Sequence, residues 1–276
     1  MRLDVAGLKT YAYTGTRPID RGRSAVVFVH GAANDHSVWA LQSRYFAHHG
    51  FDVLAVDLPG HGRSAGAPLA SVEAIADWMP RLLDAAHIER ASWVGHSLGA
   101  LAVLEAASRH PKRVESIALL GPAVPMPVSE TLLDAAHAND PVAYELIVGW
   151  SHSSARLIGG NPMPGMWMAG TALRLMNRSQ PDALHADLTA CADYSGGLEA
   201  AGAVRCPALL VLGEHDLMAP AKASQALIAT LTNKRLVTLR GCGHAMMAEQ
   251  PDAVLDALRA FLCWSADGRQ PVPNLE

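Results

Sequence analysis

The 276-residue sequence predicts an α/β fold: a parallel sheet with helices on both faces, interrupted by a helical insertion. Three observations lead there. Short, continuous apolar runs rich in Val, Ile and Leu alternate with longer amphipathic stretches, the rhythm of strands buried on both faces and joined by crossover helices. That rhythm stops at Gly121-Pro122 and returns at Pro207. Half the residues are hydrophobic, 50 %, enough for a large core in one domain carrying an insertion.

The elements follow in order. Residues 25–30 (AVVFVH) form the first continuous apolar run and predict a buried strand, with a helix over 37–49. Residues 52–56 (DVLAV) predict a second strand, followed by a Gly/Pro/Ser loop through Pro68. Ser71, with Glu73 and Asp77 behind it, has the chemistry of an N-cap and opens a helix that runs to about His87. A short strand over 91–94, a helix over 98–109 and a strand over 114–120 complete the first part. From 122 to about 205 the pattern is helical without a clear strand. Turn signals occur at Gly159-Gly160-Asn161-Pro162 and Pro164-Gly165, and Met126, Met163, Met166, Met168 and Met176 are concentrated here. The rhythm then resumes with a strand over 208–212, a helix over 221–231, a strand over 235–239 and a helix over 251–261. The expected organisation is a core from 1–121 and 206–276 with a helical cap over 122–205.

Composition excludes several classes. The formal charge is −4, and Arg81, Arg90, Arg109, Lys112 and Arg113 are interspersed with Asp84, Glu89 and Glu105, so no basic stripe marks a nucleic-acid partner. No stretch approaches the roughly 18 apolar residues of a membrane span. The opening MRLDVAGLKT carries no apolar run of the kind a signal peptide needs, which makes the cytoplasm the expected location. Cys191, Cys206, Cys242 and Cys263 show no C-x-x-C spacing and read as free thiols.

The chemistry concentrates at strand ends. Gly95-His96-Ser97-Leu98-Gly99 matches G-x-S-x-G between a predicted strand and a predicted helix, where a nucleophile elbow requires it. Such a turn forces the serine into strained backbone geometry, and side chains at Gly95 or Gly99 would meet neighbouring backbone. A serine needs a base, and the base an orienting carboxylate. Asp216 follows the strand 208–212 and His244 follows the strand 235–239, giving the chain order Ser97, Asp216, His244. Glu214 is the rival acid, but it comes directly after its strand and points away. The segment His30-Gly31-Ala32-Ala33 ends the first strand. With the amide of Leu98, its backbone offers the two N–H donors an oxyanion needs, most directly from Ala32, with Ala33 as the alternative.

These segments together resemble the α/β-hydrolase superfamily over nearly the whole chain: VFVHGAA at 27–33, DLPGHGRS at 57–64, VGHSLGA at 94–100, PALLVLGEHD at 207–216 and GCGH at 241–244. The resemblance implies an eight-stranded, mostly parallel sheet with the helical cap inserted after the sixth strand. It implies a triad of Ser97, Asp216 and His244, and a structural role for the loop holding Asp57, His61, Arg63 and Ser64. A serine nucleophile sets the chain apart from dehalogenases and epoxide hydrolases. The HGAAND segment is neither the HGGG form of lipase-like esterases nor the Gly-Pro form of carbon–carbon bond hydrolases. The expected activity is therefore a cofactor-free serine hydrolase cleaving a small-molecule carboxylic ester or lactone. A carbon–carbon bond hydrolase of aromatic degradation and a ligand receptor on the same scaffold are the alternatives. Residues expected along the substrate pocket are His36, Trp39, Met166, Met168, Met218 and Met246, the methionines forming a deformable apolar wall together with Met247. His96 is expected to pack or hydrogen-bond beneath the nucleophile. No cluster has metal-ligand spacing, so no metal is expected.

Overall fold

The computed structural model of the chain describes residues 1–160, 165 and 167–267. Eight strands form one sheet: β1 (Arg2–Val5), β2 (Leu8–Tyr13), β3 (Ala25–Val29), β4 (Asp52–Val56), β5 (Ala91–His96), β6 (Val114–Leu120), β7 (Ala208–Gly213) and β8 (Lys234–Leu239). Their spatial order is β1-β2-β4-β3-β5-β6-β7-β8. All pairs from β4 to β8 are parallel, and β2 runs antiparallel to both β1 and β4. The continuous apolar runs explain β3, β4 and β5, which are buried along their whole length. Edge strand β8 alternates between exposed and half-buried positions instead.

The β1–β2 hairpin lies outside the sequence reading. Its strands pair Val5 with Leu8 across a two-residue turn, and Ala6 and Gly7 both take positive φ, 52° and 86°. Such turns favour Asn-Gly or Asp-Gly, and Ala-Gly gives a weaker signal.

Helix α1 (Ala40–His48) starts later than expected, because a 3₁₀ turn (His36–Trp39) precedes it, with Asp35 Oδ1 accepting the Ser37 N–H at 2.8 Å. Helix α2 (Val72–Ala86) is capped by Ser71, whose Oγ accepts the Ala74 N–H, as its sequence predicts. Helix α3 (Leu98–Arg109) follows β5 directly. Between β6 and β7 come α4 (Glu130–His137), α5 (Val142–Ser151), α6 (Ser154–Leu157), α7 (Met168–Met176), α8 (Ala183–Asp193) and α9 (Gly197–Ala203). Among the described residues this stretch holds no strand. A 3₁₀ turn (Ala221–Ser224) leads into α10 (Gln225–Thr230), and α11 (Met246–Glu249) and α12 (Pro251–Asp267) follow β8.

The apolar interior falls into three clusters. One face of the sheet packs on α2, α3 and α9 through residues such as Trp78, Leu101 and Ala200. The other packs on α1 and α12 through Phe28, Trp39, Phe46 and Phe261. A third, smaller cluster joins α4, α5, α7 and α8 through Leu132, Ile147, Met176, Leu184 and Leu188, and includes Ala33 from the segment after β3. Helix α9 lies within the expected insertion, yet its Ala200 and Ala201 and the following Val204 belong to the first cluster. Among the described residues no helix is long and apolar enough to cross a membrane.

Candidate active site

Ser97 sits between β5 and α3 with φ 55° and ψ −119°, a backbone geometry that non-glycine residues rarely hold. The two motif glycines make it possible. A Cβ on Gly95 would collide with the Gly99 carbonyl, and one on Gly99 would lie 2.5 Å from the Val29 carbonyl oxygen and 2.6 Å from that of His30. The Ser97 N–H donates to Leu120 O at 2.9 Å, tying the turn to β6. Leu98 opens α3, so its amide is one of those a helix leaves without an internal acceptor, and it lies at the positive end of the helix dipole.

Asp216 and His244 are brought together from the loops after β7 and β8. The His244 Nδ1–H donates to Asp216 Oδ2 at 2.7 Å, and both side chains are buried. Asp216 Oδ1 accepts the N–H groups of Met218 (2.9 Å) and Ala219 (2.7 Å). Burial pushes this carboxyl up, but the His244 ring and the Ala219 N–H outweigh it and hold Asp216 below the ordinary carboxylate value. Glu214 faces elsewhere, with Oε2 accepting the Gly241 N–H at 2.7 Å. Gly121, at the end of β6 with φ 58°, makes room for the pair: a Cβ there would lie 2.9 Å from the His244 ring. Sequence reasoning saw Gly121 only as the point where the pattern breaks. Its place at the end of the strand between nucleophile and acid was the available signal.

Two further histidines lie beneath the site. The His96 Nε2–H donates to the His244 carbonyl at 2.9 Å, and burial together with the nearby His244 ring drives its pKa down to about 3. The His30 Nδ1–H donates to Gly31 O (2.8 Å) while its Nε2 accepts the Leu58 N–H (3.1 Å), and burial drives it to about 4. Both rings are neutral at physiological pH.

Ser97, His96 and His244 open into one cavity of about 920 Å³ beneath the β6–β7 insertion. Gly31 and Ala32 form part of its wall. The Ala32 N–H meets no acceptor among the described residues, whereas that of Ala33 is taken by Asp187 Oδ2 at 2.8 Å. The rest of the wall is mainly apolar and includes Met126, Ile147, Trp150, Met168, Met176, Leu188, Met218 and Met247.

Three of the expected pocket residues are not on that wall. The 3₁₀ turn sends Trp39 into the core against Phe28, with ring centroids 5.2 Å apart, and leaves it fully buried. The same turn directs the His36 Nδ1–H to Asp57 Oδ1 at 2.7 Å, between the rings of Tyr11 and Tyr13. On α11, Met246 faces the core, and its neighbour Met247 takes the place on the cavity. Met168 and Met218 do line it; Met166 and Met163 fall outside the described residues.

Two acids that sequence reasoning did not single out stitch the insertion to the site. Asp187 on α8 accepts the Ala33 N–H and also His61 Nε2–H (2.9 Å). Glu249 on α11 accepts the N–H groups of Gly243 (3.2 Å) and Ser153 (3.0 Å) and the Ser153 Oγ–H (2.7 Å). Asp35, His36 and Asp57 bring three potential metal-ligating atoms within 4.8 Å of one another. Their oxygens also serve the turn itself, since Asp35 Oδ1 accepts the Ser37 N–H and Asp57 Oδ1 the His36 N–H.

Comparison with known proteins agrees with this architecture. A pimeloyl-[acyl-carrier protein] methyl ester esterase of Chromobacterium violaceum is 30 % identical over 244 residues, 86 % of this chain and 93 % of that protein. Protein ABHD8 of Mus musculus is 25 % identical over 261 residues, 87 % of this chain, and the chain spans 55 % of that longer protein. The enol-lactonase of Burkholderia xenovorans LB400 superposes with a TM-score of 0.84 at 22 % identity, covering 95 % of this chain and 100 % of that one. The family pattern described as the alpha/beta hydrolase fold matches residues 24–251, and the chain belongs to that family.

Proposed function

We propose that the protein is a serine hydrolase that cleaves a carboxylic ester or lactone with an apolar acyl part. One observation carries the reading: Ser97, on its strained turn, and His244, hydrogen-bonded to Asp216 behind it, open together into a single, mainly apolar cavity. In the proposed reaction His244 Nε2 takes the proton from Ser97 Oγ, which attacks the substrate carbonyl. The oxyanion is held by the N–H groups of Leu98 and Ala32. The choice of Ala32 over Ala33 follows from the Ala33 amide being taken by Asp187. His244 then gives its proton to the departing alkoxide, leaving an acyl-enzyme. Water deprotonated by His244 attacks that ester, and collapse of the second tetrahedral intermediate returns the proton to Ser97 and releases the acid. Asp216 keeps the imidazole in the Nδ1–H tautomer and balances its charge while it holds the second proton.

Helices α4 to α8 act as a cap, and the cavity beneath them sets the acyl preference. Its volume lies at the upper end of the usual range for small-molecule sites, roughly 300–1,000 Å³. The names of two relatives, a methyl ester esterase and an enol-lactonase, point to the same class of bond.

The test is hydrolysis of p-nitrophenyl esters from acetate to dodecanoate by the wild type and Ser97→Ala. Turnover with an optimum at medium chain length, lost by about 10³-fold or more in the variant, is expected. Ester turnover that survives Ser97→Ala would remove the proposal.

A further inference from the structure

We infer that the cap is part of the oxyanion hole: Asp187 on α8, with Ser179 beside it, grips the Ala33 peptide and thereby aims the neighbouring Ala32 amide at the reacting carbonyl. This rests on the hydrolase reading above and adds a positioning residue from outside the sheet.

Ala33 has φ 51°, a left-handed geometry uncommon for an alanine. Something must hold it there, and every group it offers is held by the insertion. Its N–H donates to Asp187 Oδ2 at 2.8 Å. Its carbonyl accepts the Ser179 Oγ–H at 3.1 Å. Its methyl, 1 % exposed, belongs to the small cluster built by α4, α5, α7 and α8 and to neither sheet-face cluster. The Ala33 N–H belongs to the Ala32–Ala33 peptide, and the Gly31–Ala32 peptide that carries the Ala32 N–H is joined to it through Ala32 alone, so holding the one narrows the directions open to the other.

Asp187 is in turn held in place. Its residue is 2 % exposed, and the same Oδ2 accepts the His61 Nε2–H at 2.9 Å. The other ring nitrogen of His61 faces Pro59 O at 3.0 Å. With acceptors facing both ring nitrogens, the ring favours its doubly protonated form beside the buried carboxylate. The grip is thus anchored in the loop after β4 and acts on the segment after β3. Because Oδ2 alone receives both hydrogen bonds, an amide oxygen in its place would keep both.

The experiment uses the full chain with Asp187→Ala, Asp187→Asn, Ser179→Ala and, as the control on the underlying reading, Ser97→Ala. Three quantities are read: kcat and KM on the best p-nitrophenyl ester, the affinity of a trifluoromethyl ketone with the same acyl chain, and the melting temperature. The ketone adds Ser97 Oγ to its carbonyl and places the resulting oxyanion in the hole. Asp187→Ala is expected to lower kcat about 10- to 100-fold with KM within about twofold, and to weaken the ketone by a similar factor. Asp187→Asn should recover most of both, and Ser179→Ala should show a loss of a few-fold in the same direction. A purely structural role would lower the melting temperature and leave kcat per folded molecule and ketone affinity untouched. That result in Asp187→Ala, or in Ser179→Ala if Asp187→Ala does not fold, overturns the inference. So does an Asn variant as impaired as the Ala one. If Ser97→Ala stays active, the hydrolase reading itself falls; if it is dead while Asp187→Ala matches wild type, only the grip is refuted.

Discussion

Glu249→Ala should damage stability and catalysis together. The carboxylate is fully buried and accepts three hydrogen bonds, two from Ser153 and one from the Gly243 N–H, the residue before His244. Beside it the Ala245 N–H donates to Ser151 O at 2.8 Å. The segment carrying the base is therefore pinned on both sides of His244 to the end of α5 and the start of α6. Deleting the carboxylate orphans three buried donors, each worth about 1–3 kcal/mol when unsatisfied. Water entering the vacated space and relief of a desolvated charge offset part of that, leaving a net cost of about 3 kcal/mol. At about 2–4 °C per kcal/mol, the melting temperature should fall by roughly 6–12 °C. Loss of the Gly243 anchor lets His244 drift, and a drift on the order of 1 Å lowers kcat by up to about 10²-fold.

The companion variant is Glu249→Gln. Its Oε1 can accept both N–H groups, and its Nε2 can donate to Ser153 Oγ, so it should lose less than half of either quantity. Melting curves and p-nitrophenyl ester kinetics on both variants decide the matter. An Ala variant that melts within about 2 °C of wild type and turns over at the same rate would refute the reasoning, as would a Gln variant equal to Ala.

Gly99→Ala places a Cβ 2.5 Å from the Val29 carbonyl oxygen, so α3 must move away from β3 by most of an ångström. Overpacking of this kind costs about 1–3 kcal/mol. The same displacement separates the Leu98 amide from Ala32, and kcat should drop by at least about tenfold; wild-type kinetics would contradict the elbow geometry. For His61, burial pushes the ring down, but the charge and hydrogen bond of Asp187 prevail, and its pKa is raised in the fold. The stability it contributes is therefore complete below the ordinary imidazole value of about 6.5 and lost as pH climbs through the raised one. His30, Asp57 and Asp187 are the titratable groups facing it. The melting-temperature gap between wild type and His61→Gln should be widest near pH 6 and narrow toward pH 9; a gap that grows with pH would reverse the assignment.

The sheet was legible because buried parallel strands leave little freedom. AVVFV, DVLAV and ALLVLG are apolar on both faces, and each lies in a strand. The Ser, Asp and His positions were legible because each follows a strand end, where six parallel strands deliver their loops to one side of the sheet. What was not legible depends on rotation and distance. Trp39 and Met246 lie next to residues that line the cavity, but one residue turns a helix by about 100° and so changes which wall a side chain faces. Asp187 and Glu249 look in sequence like single acids on short helices. Apart from Gly243, six residues before Glu249, their partners lie 154, 126 and 96 residues away, and no local pattern encodes such a meeting. The β1–β2 hairpin escaped for a third reason: its strands are short and its turn places an alanine at positive φ.

In the proposed reaction His244 holds a second proton while the oxyanion exists, so any neighbouring cation would oppose it. His96, whose ring centroid lies 4.6 Å away, is the group best placed to interfere. Burial keeps it neutral, and its Nε2–H is spent on the His244 carbonyl, so it steadies the loop without adding charge. His30 is neutral for the same reason and holds the Gly31 carbonyl at the start of the oxyanion segment. Buried His61, whose pKa is raised by Asp187 against the pull of burial, lies 2.9 Å from that carboxylate. The carboxylate facing the base, Asp216, is held ionised by His244 and two backbone N–H groups. His30 and His96 thus brace the site as neutral rings, and the His61–Asp187 pair is matched within itself. In the proposed reaction the ring beside Ser97 becomes a cation, and surroundings arranged in advance without an opposing charge need not reorganise as it forms.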